Sequence, residues 1–249
     1  MTLTENKLGG LTVTPVTDII RYINMLIYGD PGAGKTVLAG SADAVPEMRP
    51  VLFIDIEGGT LSLRNRSPDV HVVRVENWKE FSNLYNGLLQ EEHGYRTVVL
   101  DSLTEIQKFH MYNVMQNVVI KDSERDPDVP SVREWGKNIE VMRKLVRGFR
   151  DLPMHTVFTA LAKADKDGSS GKIITKPYMS GKLANEVAGF VDIVGFLYTK
   201  VNAGEIQRNL LFTATDRQVA KDRTDSLPPV LESPTMEEIF GHVLSEERE

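Results

Sequence analysis

Cysteine is absent from the 249 residues, which removes disulfides, thiolate metal sites and a cysteine nucleophile at once. The histidines (His71, His93, His110, His155 and His242) fall without metal-ligand spacing. Long apolar runs are missing too: none approaches the ~20 residues of a membrane span. The first residues lack the basic, apolar and small-residue succession of a secretory peptide. A cytoplasmic setting with no membrane partner fits these absences. There is also no excess of positive charge. With 29 basic and 35 acidic residues the net charge is −6, which excludes a body coated for nucleic acid but not a local basic loop on an acidic body. No internal repeat or second full-sized domain is visible. The 41% hydrophobic content supports one α/β domain with a well-buried sheet.

What is present is organised around Gly29-Asp30-Pro31-Gly32-Ala33-Gly34-Lys35-Thr36, which follows the apolar run Asn24 to Tyr28 and opens into Val37-Leu38-Ala39. This reads as strand, phosphate loop and helix. Glycines let the backbone turn tightly and point successive N–H groups at one place, where a helix N-terminus adds partial positive charge. Residues 29–37 are therefore the candidate nucleotide contacts, with Lys35 on the β/γ-phosphates of ATP and the Thr36 hydroxyl on Mg2+.

Residues 1–23 form an extended N-terminal arm, a possible subunit contact, with a short strand expected at Leu11 to Val16. Val51 to Ile54 is a continuous apolar run of the kind found in buried parallel strands, and it ends in Asp55-Ile56-Glu57-Gly58-Gly59. A strand at Val70 to Val75 precedes a helix begun by Asn77 and Glu80 and capped at Gly94. Its Trp78, Phe81, Leu84, Tyr85, Leu88 and Leu89 share one face, read as core ahead of a stacking platform. Thr97 to Asp101 is a further strand ending in an acid; downstream of a phosphate loop, Asp101 becomes a candidate to hold Mg2+ with Thr36. A helix from Leu103 to Ile120, an acidic loop and a capping box at Ser131 to Glu134 lead into a helix ending at Phe149. Its apolar face carries Trp135, Ile139, Met142, Val146 and Phe149. Its basic face, Arg133, Lys137, Lys144 and Arg147, reads as solvated ahead of DNA-binding. His155 to Leu161 is the next strand. Beyond it, residues 163–182 carry five lysines against two aspartates with Gly168 to Gly171 between them, and read as a long loop. A short helix at Leu183 to Phe190, strands at Val191 to Lys200 and Gln207 to Thr215, and a segment 228–249 with a small helix and an acidic end complete the chain.

In this order the elements resemble the RecA-type recombinase core over about residues 24–227. The resemblance implies an α/β fold, a RecA-like P-loop NTPase with a mostly parallel central sheet flanked by helices. It makes Glu57 the general base and Val98 to Ser102 the Walker B strand. It places residues 122–132 and 163–182 where the family has its two DNA-binding loops, so that Lys163, Lys166, Lys172, Lys176 and Lys182 would meet DNA. Lys221-Asp222-Arg223 resembles the basic pair that reaches the neighbouring subunit's γ-phosphate, making Lys221 and Arg223 catalytic in trans. The sequence is most similar to the small bacteriophage RecA-core ATPases that anneal single strands, which would place it in the host cytoplasm. It departs from RecA at Leu161, where RecA carries a polar glutamine, and in the acidity of its first loop.

The function this implies is an ATP-hydrolysing, Mg2+-dependent protein that forms side-by-side oligomers and binds single-stranded DNA for recombination or annealing, stimulated by DNA, with a single-strand-binding protein as a further candidate partner. The alternatives are a nucleotide-gated regulatory or scaffold ATPase and, third, a hexameric helicase motor.

Overall fold

The computed structural model describes residues 6–15, 22–166, 168, 171–202 and 204–245. Among these, ten strands join in one sheet. Its spine in order is β12 (Val230–Glu232), β10 (Glu205–Leu211), β9 (Ile193–Asn202), β3 (Asn24–Gly29), β7 (His155–Lys166), β6 (Thr97–Asp101), β4 (Val51–Asp55) and β5 (His71–Arg74). From β9 to β5 every neighbour is parallel, whereas β10 and β12 continue antiparallel. Two more strands attach to this spine, β11 (Lys221–Asp222) against β9 and β8 (Ile173–Pro177) against β7.

The central strands are largely apolar because both faces are covered, with His155, Thr156 and Thr159 of β7 as buried polar exceptions. Successive side chains point to opposite sides, so Leu26 and Tyr28 pack with α2 (Trp78–Gln90), α3 (Leu103–Lys121), α4 (Val132–Arg150) and α5 (Leu183–Phe190). Met25 and Ile27 face the other way, onto α1 (Lys35–Gly40) and α6 (Met236–Ser245). The terminal segment thus belongs to the core: Met236, Ile239 and Phe240 are buried, and β12 extends the sheet. Its acidic end, Glu246 to Glu249, lies outside the described residues.

Several local expectations change. The strand expected at Leu11 to Val16 is the second half of a hairpin, β1 (Asn6–Leu8) with β2 (Leu11–Val13), with exposed Leu8, Leu11 and Val13; Val16 lies outside the described residues. The helix before Gly94 ends at Gln90 with Glu91 as its C-cap, and Gly94, at φ 70, lies three residues beyond that cap. The capping box at Ser131 and Glu134 is formed, and Arg125 from the preceding loop pairs with Glu134. Trp135, expected in the core, is 38% exposed in the first turn of α4, where it lines a surface pocket with Thr104, Met111 and Tyr178.

The largest difference concerns the stretch read as a long loop from Lys163. β7 runs on past Leu161 to Lys166 and pairs antiparallel with β8, Ala162 opposite Pro177 and Lys166 opposite Ile173. Backbone pairing explains how so polar a segment is ordered: its N–H and C=O groups are spent on a ladder that needs no apolar core on both faces. Asp167, Ser169 and Ser170 at the turn lie outside the described residues.

Tyr28 ties this hairpin to the centre. Its ring is fully buried and its hydroxyl lies 2.6 Å from the Val219 carbonyl and 3.2 Å from that of Thr175 on β8. Burial pushes its pKa up, so it acts as a neutral donor. Tyr28→Phe keeps the ring and deletes the donor, and should cost about 1–2 kcal/mol in urea denaturation, the range of one buried hydrogen bond. Unchanged stability would show that the hydroxyl does not hold the hairpin.

Candidate nucleotide-hydrolysis site

The site stands where β3, β6 and β4 end, beside β7, which continues past them. β3 stops at Gly29, whose position tolerates no side chain: a Cβ there would come within 2.2 Å of the Leu197 carbonyl on β9. The chain turns through Asp30 to Ala33 and enters α1 at Gly34, a left-handed residue at φ 105 that contributes no side-chain cap. The first N–H groups of α1 are thus left for an external acceptor. Lys35 is buried at 8% exposure and folds back so that Nζ donates to the Gly29 carbonyl at 3.0 Å and the Asp30 carbonyl at 2.9 Å. Burial lowers its pKa, while Asp101, Glu57 and Asp30 act in the opposite sense.

Asp101 ends β6, and β7 separates that strand from the phosphate-loop strand. Thr36 bridges the gap, its hydroxyl donating to Asp101 Oδ2 at 2.8 Å, and Thr159 on the intervening strand donates to Oδ1. Burial raises the pKa of Asp101; the two hydroxyls and Lys35 offset it, and Asp55, level with it on β4, adds to it. A hydroxyl and a carboxylate side by side are hard oxygen donors of the kind Mg2+ takes alongside water and phosphate. Thr36 and Asp101 are thus the pair that could hold such an ion.

The two acids at the end of β4 and just beyond it have different work. Asp55 is spent on the chain: Oδ1 accepts from the N–H groups of Gly58 at 2.7 Å and Gly59 at 3.2 Å, and Oδ2 from the Thr60 hydroxyl at 2.9 Å. Glu57 is exposed, and one oxygen, Oε1, accepts from the hydroxyl of Ser102, the residue after Asp101. Ser102 also caps α3, accepting from the Glu105 N–H. Glu57 therefore stands beside the Lys35, Thr36 and Asp101 cluster with Oε2 unbonded among the described residues, where a carboxylate could take a proton from water.

The remaining sequence candidates lie elsewhere. Lys163 and Lys176 are cross-strand partners in the β7–β8 hairpin and both lean on Asp165, at 3.8 and 3.4 Å; Lys172 pairs with Asp216 at 3.1 Å. Lys166 closes the hairpin opposite Ile173, and Lys182 precedes α5. Lys221, in β11, and Arg223, just beyond it, both turn to partners in their own subunit. Lys221 Nζ donates to the Val191 and Ala188 carbonyls at 2.6 and 3.3 Å, while Arg223 pairs with Asp192 at 2.8 Å. They are not gathered at this chain's own phosphate loop. The C-terminal carbonyls of α5 draw these cations, as helix ends do.

Sequence reasoning gave no role to Ser102 as the holder of Glu57. It also missed Arg208 on β10, whose Nε donates to the Ala33 carbonyl of the loop at 3.2 Å. Arg208 lies outside any motif, 175 residues from Ala33, so only the pairing of β10 with β9 could have placed it.

A phosphate loop on a strand separated by one other from an acid-ended strand, with a glutamate nearby, defines a RecA-like P-loop ATPase. A family model described as an AAA domain, AAA_24, matches residues 21–224, and the chain belongs to that family. Two solved structures are similar in part. A KaiC-like protein from the hyperthermophilic archaeon Pyrococcus horikoshii OT3 is 16% identical with a TM-score of 0.46, over 76% of this chain and 77% of that one. The flagellar accessory protein FlaH from Methanocaldococcus jannaschii is 9% identical with a TM-score of 0.46, over 84% of each chain. No curated protein matches the sequence.

Glu57→Gln should bind ATP as the parent does and hydrolyse it at least ~100-fold more slowly, the lower end of a general base's contribution. A variant that loses ATP binding instead would make Glu57 a structural or metal-positioning group.

Proposed function

We propose that this ATPase is Mg2+-dependent, assembles side by side and binds single-stranded DNA for recombination or annealing. The observation that carries the proposal is the Thr36–Asp101 pair with Glu57 beside it. Water attacks the γ-phosphorus as Glu57 takes its proton. A new P–O bond forms, the bond to the β-phosphate oxygen breaks, and ADP leaves. The loop N–H groups and Lys35 face the charge that develops on the phosphoryl oxygens; Thr36 and Asp101 would hold Mg2+, which when bound would supply further positive charge there.

The DNA assignment is supported by the β7–β8 hairpin. It carries Lys163, Lys166, Lys172 and Lys176 beyond the strand ends that hold the nucleotide site. A short relay joins the two: the Leu161 N–H donates to the Thr104 hydroxyl, which donates to the Tyr178 carbonyl, on a helix that begins beside Ser102. The rival is a nucleotide-gated scaffold ATPase. It gains weight from Asp165, which draws on both Lys163 and Lys176, and from the acids at 122, 124, 126 and 128. ATP turnover with and without single-stranded DNA separates them. DNA should stimulate turnover, and neutralising Lys166, Lys172 and Lys176 together should flatten the salt dependence of DNA binding. Turnover indifferent to DNA, with an unchanged salt slope, would favour the scaffold.

Assembly would give Lys221 and Arg223 their catalytic role, through exchange of their bonds on α5 for a neighbour's γ-phosphate. A Lys221→Ala/Arg223→Ala protein and a Glu57→Gln protein should each be inactive alone and recover hydrolysis when mixed, at interfaces that pair an intact Glu57 with an intact basic pair. If both variants assemble and exchange subunits yet no activity returns, the shared site is wrong.

A further inference from the structure

The phosphate loop of this chain touches a cation that does not belong to its motif. β10 pairs with β9 so that Arg208 is opposite Thr199, and β9 runs parallel to β3 with Leu197 level with Gly29. Arg208 therefore stands two residues, roughly 7 Å, beyond the level at which the phosphate-loop strand ends. That is the height of the loop itself. Its side chain is on the same face of β10 as Leu210, two residues on, and Leu210 packs in the cluster that contains Leu38 and Ala39 of α1. Arg208 and the loop thus share one side of the sheet.

The contact is close and depends on a missing side chain. Arg208 Nε donates to the Ala33 carbonyl at 3.2 Å. A Cβ on Gly34 would come within 2.9 Å of Nε and 3.3 Å of Cδ, so the arginine lies against the bare α-carbon of the residue that opens α1. Gly34 is needed twice over, for its φ of 105 and for this approach. One nitrogen of the guanidinium is spent on the loop. Among the described residues the two Nη groups make no hydrogen bond and no ion pair, in contrast to Arg143 on Glu186, Arg150 on Asp151 and Arg223 on Asp192. The nearest acid on the adjoining strand, Glu232, is engaged by Gln207 instead.

We propose that Arg208 is a nucleotide-binding residue of this site, supplied by the antiparallel extension of the sheet, and that its free Nη fork engages the phosphate chain of the nucleotide. The inference rests on the reading of residues 29–37 as the nucleotide loop and adds a second source of positive charge to it. Anchoring through Nε fixes the plane of the guanidinium, so its two remaining donor groups are presented with little further loss of freedom, in the fork geometry that suits phosphate oxygens. It also divides the cationic work. Lys35 approaches from inside the loop as a point charge, and Arg208 comes from outside as a planar one.

Two substitutions separate charge from mere support of the loop. Arg208→Gln keeps a side-chain N–H for the Ala33 carbonyl and removes the charge; Arg208→Lys keeps the charge and loses the fork. Calorimetric titration with ADP, beside thermal melting without nucleotide, gives the readout. Arg208→Gln should bind ADP about tenfold more weakly, the loss expected for one charge-assisted hydrogen bond. Arg208→Lys should fall between it and the parent, with melting temperatures close to the parent's for both. ADP binding by Arg208→Gln at parental strength would overturn the assignment. So would equal losses in both variants accompanied by lowered melting temperatures, which would make Arg208 a prop for the loop. If the parent itself binds no ADP, the nucleotide reading of the loop fails, an outcome distinct from either.

Discussion

A carboxylate buried at the end of an apolar strand is the constraint around which this molecule is arranged. Asp101 is 3% exposed, its charge disfavoured by burial, and it is kept in place by hydroxyls from Thr36 and Thr159. Those two donors come from the phosphate loop's helix and from the strand between. Satisfying one acid therefore fixes the relative height of β3, β7 and β6. A buried charge left without such partners is costly enough to shift its protonation or the structure around it. The same register brings Ser102 to Glu57 and sets Asp55 level with Asp101, where Asp55 is bound to the turn that presents Glu57.

Antiparallel strands extend this parallel centre in two places. At one edge β10 and β12 continue the sheet and bring Arg208 to the loop; in the middle of the sheet, β8 folds back on the far end of β7 and raises a basic hairpin. Tyr28, on the phosphate-loop strand, joins the hairpin through Thr175 and the following segment through Val219. An event at the loop thus has short covalent and hydrogen-bonded routes to both extensions, without a separate domain.

The parallel centre was legible because strands buried on both faces are largely apolar, and Met25 to Tyr28, Val51 to Ile54 and Val98 to Leu100 are apolar runs. The phosphate loop was legible because backbone geometry and phosphate charge jointly restrict its residues. The hairpin was not. Lys163 and Asp165 alternate with Ala162, Ala164 and Lys166, a strand period carried by charges and small residues instead of apolar ones, so it read as a loop. Arg208 and Ser102 were hidden for a different reason: each acts through a partner distant in sequence, Ala33 or Glu57, and strand pairing rather than spacing creates the contact. For Lys221 and Arg223, sequence could not reveal that the end of α5 and Asp192 engage them within the same chain.

The central claim, that Thr36 and Asp101 form the metal side of an ATP site, is tested most directly by the affinity for ATP with and without Mg2+, in the parent and in Asp101→Asn. Mg2+ should tighten ATP binding by the parent, and a folded Asp101→Asn protein should lose most of that gain while still binding nucleotide through the loop. An equal Mg2+ effect in the two proteins would contradict the assignment and send the metal to other ligands.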